Sequence, residues 1–195
     1  DFADSRAGKH AQAFLGDWRG TLVCDDYAGY KALIAQGVTE AGCMAHARRK
    51  FFALQEHGQS QIAAEALEHI AALYAIEQAA RELNADARQV LRETKAQPLL
   101  DDFKTWLLAC RGKIPNGSSS TKAIDYTLKR WTALTHYLTD GNVPIGRVEM
   151  WRGGRRVRLS VSTPFVRWCP SSVALALFPH PAHRTGRADF PHPAL

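Results

Sequence analysis

Between residues 62 and 138 the apolar side chains recur mainly at the period of an α-helix. Ile62, Ala66, Ile70, Leu73, Ala80 and Leu83 make one stripe, with Glu65, Glu68, Glu77 and Glu82 largely off it. A break is expected near Asn84, followed by a helix over 86–96. Pro98 opens the next helix at its first turn, where a missing N–H costs nothing. That helix carries Leu99, Leu100, Phe103, Trp106 and Leu107. The run 115–120, Pro-Asn-Gly-Ser-Ser-Ser, reads as a loop. Ser120 then caps a helix over 121–138 that buries Ile124, Leu128, Trp131 and Leu134. Asp140-Gly141 makes a turn. Taken alone, this stretch specifies a helical bundle.

Upstream the pattern is mixed. Residues 7–18 fit a short helix through Ala11, Phe14, Leu15 and Trp18. The run Thr-Leu-Val-Cys at 21–24 is β-type and ends in Asp25 and Asp26. A helix fits 27–36 and stops at Gly37. A short strand fits 38–41, and a helix fits 43–55 with Arg48, Arg49 and Lys50 on its polar side and Phe51-Phe52 partly inward. The fold class is therefore α/β leaning mainly α.

Charge divides the chain a second time. Residues 1–146 hold 17 Lys+Arg against 17 Asp+Glu, whereas 147–195 hold 8 basic residues, all Arg, against 2 acidic. The whole net charge of +6 thus lies in the last stretch, together with six of the nine prolines. Such a shift marks a domain edge. It reads either as an Arg-rich arm for phosphates or as a tail that does not fold. No apolar run approaches the roughly 18 residues of a membrane helix, and no signal peptide is visible, so no membrane partner is expected. The four cysteines, at 24, 43, 110 and 169, show no C-x-x-C spacing. A reducing cytoplasm is the expected compartment. The first residue is Asp, so the native start is expected upstream.

Few residues suggest chemistry. Asp25 follows an apolar strand, at the end where sheet enzymes place ligands. With a second acid it suits Mg²⁺, and without one it reads as a helix cap. Cys43 and His46 stand three residues apart on a helix, a spacing that suits zinc, but no third and fourth ligands accompany them. A structural pair is the plainer reading. Arg48, Arg49 and Lys50 fit a phosphate grip or a solvated face equally well. There is no phosphate-binding glycine loop and no nucleophile elbow.

Three stretches together resemble a known family. They are 22–30 (Leu-Val-Cys-Asp-Asp-Tyr-Ala-Gly-Tyr), 42–52 (Gly-Cys-Met-Ala-His-Ala-Arg-Arg-Lys-Phe-Phe) and 124–141 with Trp131 and Tyr137. The chain resembles transposases of the insertion sequence 66 family, a DDE-type group, over roughly residues 1–149. The resemblance implies a partial ribonuclease-H-like core with a large all-helical insertion, followed here by a disordered basic tail. It implies three carboxylates holding two Mg²⁺ (or Mn²⁺) ions for DNA cleavage and strand transfer. Asp25 matches the second acid and Glu149 the third, as catalytic and metal-holding residues. Asp26 stands where the family pattern has glycine. Cys43 and His46 match a feature that supports the site, and Arg48, Arg49 and Lys50 are the DNA contacts. The first acid is expected upstream, since Asp1 and Asp4 do not match it. The segment around Glu149 departs from the family pattern, with Ile145-Gly146 in place of an Asp-Asn-Asn run.

The resulting organisation is a core piece at 1–57, a helical insertion at 58–140 and a degenerate, frameshifted Arg/Pro-rich tail at 141–195. The implied partners are DNA, full-length transposase subunits and copies of the same chain. The function expected is that of a fragment acting in DNA transposition, inactive alone and holding its metal loosely. The alternative is a non-catalytic basic module that co-assembles with a full-length transposase. The charge distribution generates a measurable expectation. If six arginines beyond 146 reach phosphates, the slope of log K against log salt on duplex DNA is about −5. Deleting 147–195 should remove most of that slope in a fluorescence-anisotropy titration.

Overall fold

The computed structural model describes residues 8–58, 60–146, 149–152 and 155–158, the last two stretches as backbone only. The side chain of Phe14 and the stretch 159–195, which holds most of the expected tail, lie outside the described residues. In chain order the elements are α1 (Gly8–Leu15), β1 (Thr21–Cys24), a 3₁₀ turn (Ala28–Tyr30) running into α2 (Lys31–Ala35), β2 (Thr39–Gly42) and α3 (Met44–Gly58). Then come α4 (Gln61–Ala79), α5 (Ala85–Leu91), α6 (Gln97–Arg111), α7 (Ser119–Lys129), α8 (Trp131–Thr135), β3 (Glu149–Arg152) and β4 (Arg155–Arg158). The described chain is mostly helical around a small sheet.

β1 and β2 run parallel, in register from Thr21 opposite Thr39 to Cys24 opposite Gly42. Parallel neighbours need a crossover, which the 3₁₀ turn and α2 supply. β3 takes the other edge of β1, antiparallel, with Met150 opposite Leu22, and β4 pairs with β3. The order β2-β1-β3-β4 leaves β1 in the interior. Successive side chains of a strand point to opposite faces. Leu22 and Cys24 accordingly pack with Leu15, Trp18, Leu33 and Val38 beneath α1 and α2. Val23 faces the other way, with Ala41, Met44, Ala47 and Phe51, into the large core of the helical block. A strand covered on both faces reads as an unbroken apolar run.

The helical block follows its sequence signals. Ser60, Asn84 and Ser118 each accept a hydrogen bond from the backbone N–H three residues on, at 3.3, 2.9 and 3.1 Å, and so start α4, α5 and α7. Pro98 sits in the first turn of α6. Ala66, Ile70 and Leu73 of α4 meet Leu100, Phe103 and Leu107 of α6 and Ile124 of α7, all buried. Gly42 closes the packing against the sheet: a Cβ there would lie 2.9 Å from the Leu134 backbone nitrogen, so β2 touches the backbone of α8 only because the residue is glycine. Among the described residues no helix is long and apolar enough to cross a membrane.

The structure departs from the sequence reading in five respects. The cap of α7 is Ser118, two residues earlier than Ser120. The helix expected over 121–138 breaks at Arg130, which ends α7 and precedes α8. Residues 92–96 form a wide π-helical turn, and Leu83 is exposed rather than part of the buried stripe. Two strands lie in the stretch beyond 146 where no element was expected. Their place has a physical reason: without β3, one edge of β1 would carry unpaired backbone N–H and C=O groups.

One buried charge ties the block together. Arg92, 1% exposed, donates to both carboxylate oxygens of Glu77 at 2.8 and 2.7 Å. Its remaining nitrogen donates to the carbonyls of Tyr137 and Asp140 at 2.7 and 3.0 Å. It thus links α4, the π turn and the end of the block. Replacing Arg92 by Met should cost about 3–5 kcal/mol, because Glu77 and two carbonyls lose a buried partner. The check is a lower urea midpoint at unchanged m-value.

Candidate functional site

The carboxyl ends of the parallel strands β1 and β2 define one edge of the sheet. Asp25 leaves β1 and Cys43 leaves β2 at that edge, and the Cys43 N–H donates to the Cys24 carbonyl at 3.0 Å. The Met44 N–H donates to the Ile145 carbonyl at 2.9 Å, so the chain returning from the helical block crosses the start of α3. From there it enters β3 at Glu149, beside β1.

His46, in the first turn of α3, points its Nε2 at Asp25 Oδ2, 3.3 Å away, with side chains 25% and 40% exposed. Burial lowers the His46 pKa from its ordinary value. Asp25 opposes that shift, while the positive charges of Arg49, Lys50 and Arg130 reinforce it. At neutral pH the contact is therefore a hydrogen bond from a neutral imidazole rather than an ion pair. Nδ1 of the same ring is buried without a hydrogen-bond partner among the described residues. Cys43 is buried, and burial raises its thiol pKa. It is thus a neutral thiol beside the site. Among the described residues no group of three or more His, Cys, Asp or Glu is placed to hold a metal ion.

The basic run divides by helical geometry. Residues 46, 49 and 50 share a face, being three and four apart. Arg49 and Lys50 therefore stand on the His46 side of α3, and both are exposed. The Lys50 ammonium lies 4.3 Å from the centre of the Tyr126 ring. Arg48 turns away and stacks over Phe52 at 5.5 Å.

Three site residues carry no local signal in the sequence. Tyr126 of α7 donates its hydroxyl to the Asp25 carbonyl at 3.3 Å. Arg130 donates to Asp26 Oδ1 and to Glu40 Oε1, both at 2.7 Å. Glu40 Oε1 also accepts from the Cys24 thiol at 3.4 Å, and burial pushes that thiol up to about 12. Asp26 has φ +73°, the left-handed region that favours glycine. The resemblance expects glycine at this position, and the backbone angle supplies the reason. Arg130 and Tyr126 lie about a hundred residues from their partners, so only helical phasing along α7 hinted that they share a face.

The shifted histidine sets a pH dependence. A lowered native pKa means that the unfolded chain binds more protons, so stability rises with pH across the window between the native value and about 6.5. Stability should fall as pH is lowered through about 6.5 and level off below the native pKa. His46→Gln should flatten that part of the curve, as read from urea midpoints at about pH 7.5 and about pH 5.5.

A family model described as the transposase IS66 family matches residues 1–147, ending where the charge balance changes. Three relatives come from Sinorhizobium fredii (strain NBRC 101917 / NGR234). The uncharacterized protein y4hP is 34% identical over 174 residues, 80% of this chain and 32% of its own length. The uncharacterized protein y4jD is 32% identical over 166 residues, 82% and 32% respectively. The uncharacterized protein y4qI is 34% identical over 153 residues, 74% and 28%. The chain thus spans about a third of the length of the curated relatives it matches. No solved structure matches it. With the family model covering most of the chain, and both the Asp25 strand and the Cys43–His46 turn inside it, the protein belongs to the IS66 transposase family.

Proposed function

We propose that this chain is a piece of the catalytic part of a DDE-type transposase, acts in DNA transposition, and does not cut or join DNA by itself. The observation that carries the reading is Asp25: a partly exposed carboxylate at the carboxyl end of β1, with His46 against it and two exposed cations on the same helix face. Glu149 opens β3, the strand paired with β1, which supports its role as the third acid, at the same sheet as Asp25. A helical run between β2 and β3 agrees with a partial ribonuclease-H-like core interrupted by an insertion.

The donors fit a hard divalent cation in kind, since Asp25 and Glu149 offer carboxylate oxygens. They would hold Mg²⁺ or Mn²⁺, which when bound stabilises the attacking and leaving oxygens of a phosphoryl transfer. In number they fall short of a two-ion site, and Asp26 and Glu40 are already engaged by Arg130. The ion is therefore held loosely, and misplaced reacting groups can cost about a hundredfold in rate. His46 orients the Asp25 carboxylate, and the small buried Cys43 closes the packing behind it. Arg49 and Lys50, with Arg48 farther round the helix, bind DNA phosphates. Full-length transposase subunits or further copies of the chain complete the assembly in the cytoplasm.

A strand-cleavage assay with Mg²⁺ or Mn²⁺, on DNA carrying the ends of the element, tests this. The chain alone should give no cleavage above background. Cleavage that disappears in Asp25→Asn would overturn the inactive reading.

A further inference from the structure

We infer that Arg130 is a positioning residue that sets the direction of the Asp25 carboxylate by holding Asp26 in its left-handed conformation. Its consequence for metal binding rests on the reading of Asp25 given above; the geometric claim does not.

The argument begins with the dipeptide Asp25-Asp26. A residue with a Cβ adopts φ +73° at a steric cost, and asparagine or aspartate does so most readily when its side chain is tied locally. Here the tie comes from far along the chain. Arg130 Nη1 donates to Asp26 Oδ1 and Nη2 to Glu40 Oε1, both at 2.7 Å, from a guanidinium that is almost fully buried. One helical turn earlier, the Tyr126 hydroxyl donates to the Asp25 carbonyl. Two residues four apart, Tyr126 on α7 and Arg130 at its C-cap, therefore grip both halves of the dipeptide. Glu40, on β2, anchors the other prong of the guanidinium to the sheet and is itself bonded by the Cys24 thiol. The loop leaving β1 is thus fixed against β2 and α7 together, and Asp25 is left facing His46 Nε2.

This arrangement is costly as a stabilising device. A buried arginine must be desolvated, its Nε has no partner among the described residues, and apolar residues of similar volume commonly serve stability as well. Two carboxylates on separate elements need the planar fork of arginine, which a lysine ammonium does not reproduce. The helix also breaks at this residue, which is at once the C-cap of α7 and the N-cap of α8. What the cluster delivers is the geometry of the Asp25-Asp26 turn.

The test is NMR of the full chain at one fixed pH, following the amides of residues 24–28, the Asp25 carboxyl carbon and the His46 imidazole. Arg130→Met should displace the Asp25, Asp26 and His46 signals, and Arg130→Lys should displace them in the same direction. Asp26→Gly alone should leave Asp25 and His46 near their original positions, because glycine occupies the left-handed region unaided. The double variant Arg130→Met with Asp26→Gly should bring them more than halfway back. A merely structural arginine would not be rescued in this way. The inference is overturned if folded Arg130→Met leaves Asp25 and His46 unmoved, or if the double variant is no closer to the parent than Arg130→Met. Should Arg130→Met not fold, Arg130→Lys with and without Asp26→Gly is read by the same criteria. Mn²⁺ added to the parent protein separates the two readings. Broadening centred on Asp25 supports the metal reading. Its absence, with the variant shifts as expected, refutes the metal reading and leaves the positioning role standing.

Discussion

The coverage of β1 on both faces is the constraint from which the rest of the structure follows. Four residues make a weak strand, and a short strand becomes stable only when its side chains and its backbone groups are all accommodated. Leu22 and Cys24 require α1 and α2 on one side, and Val23 requires the helical block on the other. β2 and β3 take the two backbone edges. Asp25 is the first residue beyond this covered run, so its carboxylate emerges at the boundary between a dry sheet and solvent. The site lies where it does because the burial stops there.

The helical block meets the sheet through polar as well as apolar contacts. Arg92 and Arg130 are both buried, and each bonds to groups from separate parts of the chain. A buried guanidinium left without its partners is expensive, so each arginine restricts how its neighbours can shift. Arg92 acts inside the block, joining α4 to the turn at Asp140. Arg130 acts across its edge, onto β2 and the loop leaving β1. Both fall where the regular helix gives way, at the π turn and at the junction of α7 and α8.

Local features of the fold were legible because they depend on near neighbours. The strand at 21–24, the start of α3 after Cys43, the break at Asn84 and the Pro98 turn were all written in spacing, caps and breakers. The helix over 121–138 was misjudged at Arg130 because continuous helical periodicity does not reveal a tertiary demand on one side chain. The strands β3 and β4 were missed for a related reason: an Arg-rich run becomes a strand here by meeting an available edge, not by its own pattern. Asp25, Cys43 and His46 were found as separate local signals, and their meeting at one sheet edge followed only from the parallel pairing of β1 and β2.

By itself the sequence determined the element types over most of the described chain, the split between a neutral body and a basic end, and the family resemblance. Each rests on composition, periodicity or short motifs, which are properties of adjacent residues. The tertiary structure alone decided that Asp26 adopts a glycine-like angle, that Arg130 and Tyr126 reach the loop after β1, and that Asp25 faces His46. Those contacts join residues about a hundred positions apart, or across two strands. Their partners are selected by which surfaces pack together, and no local pattern of residues encodes that choice.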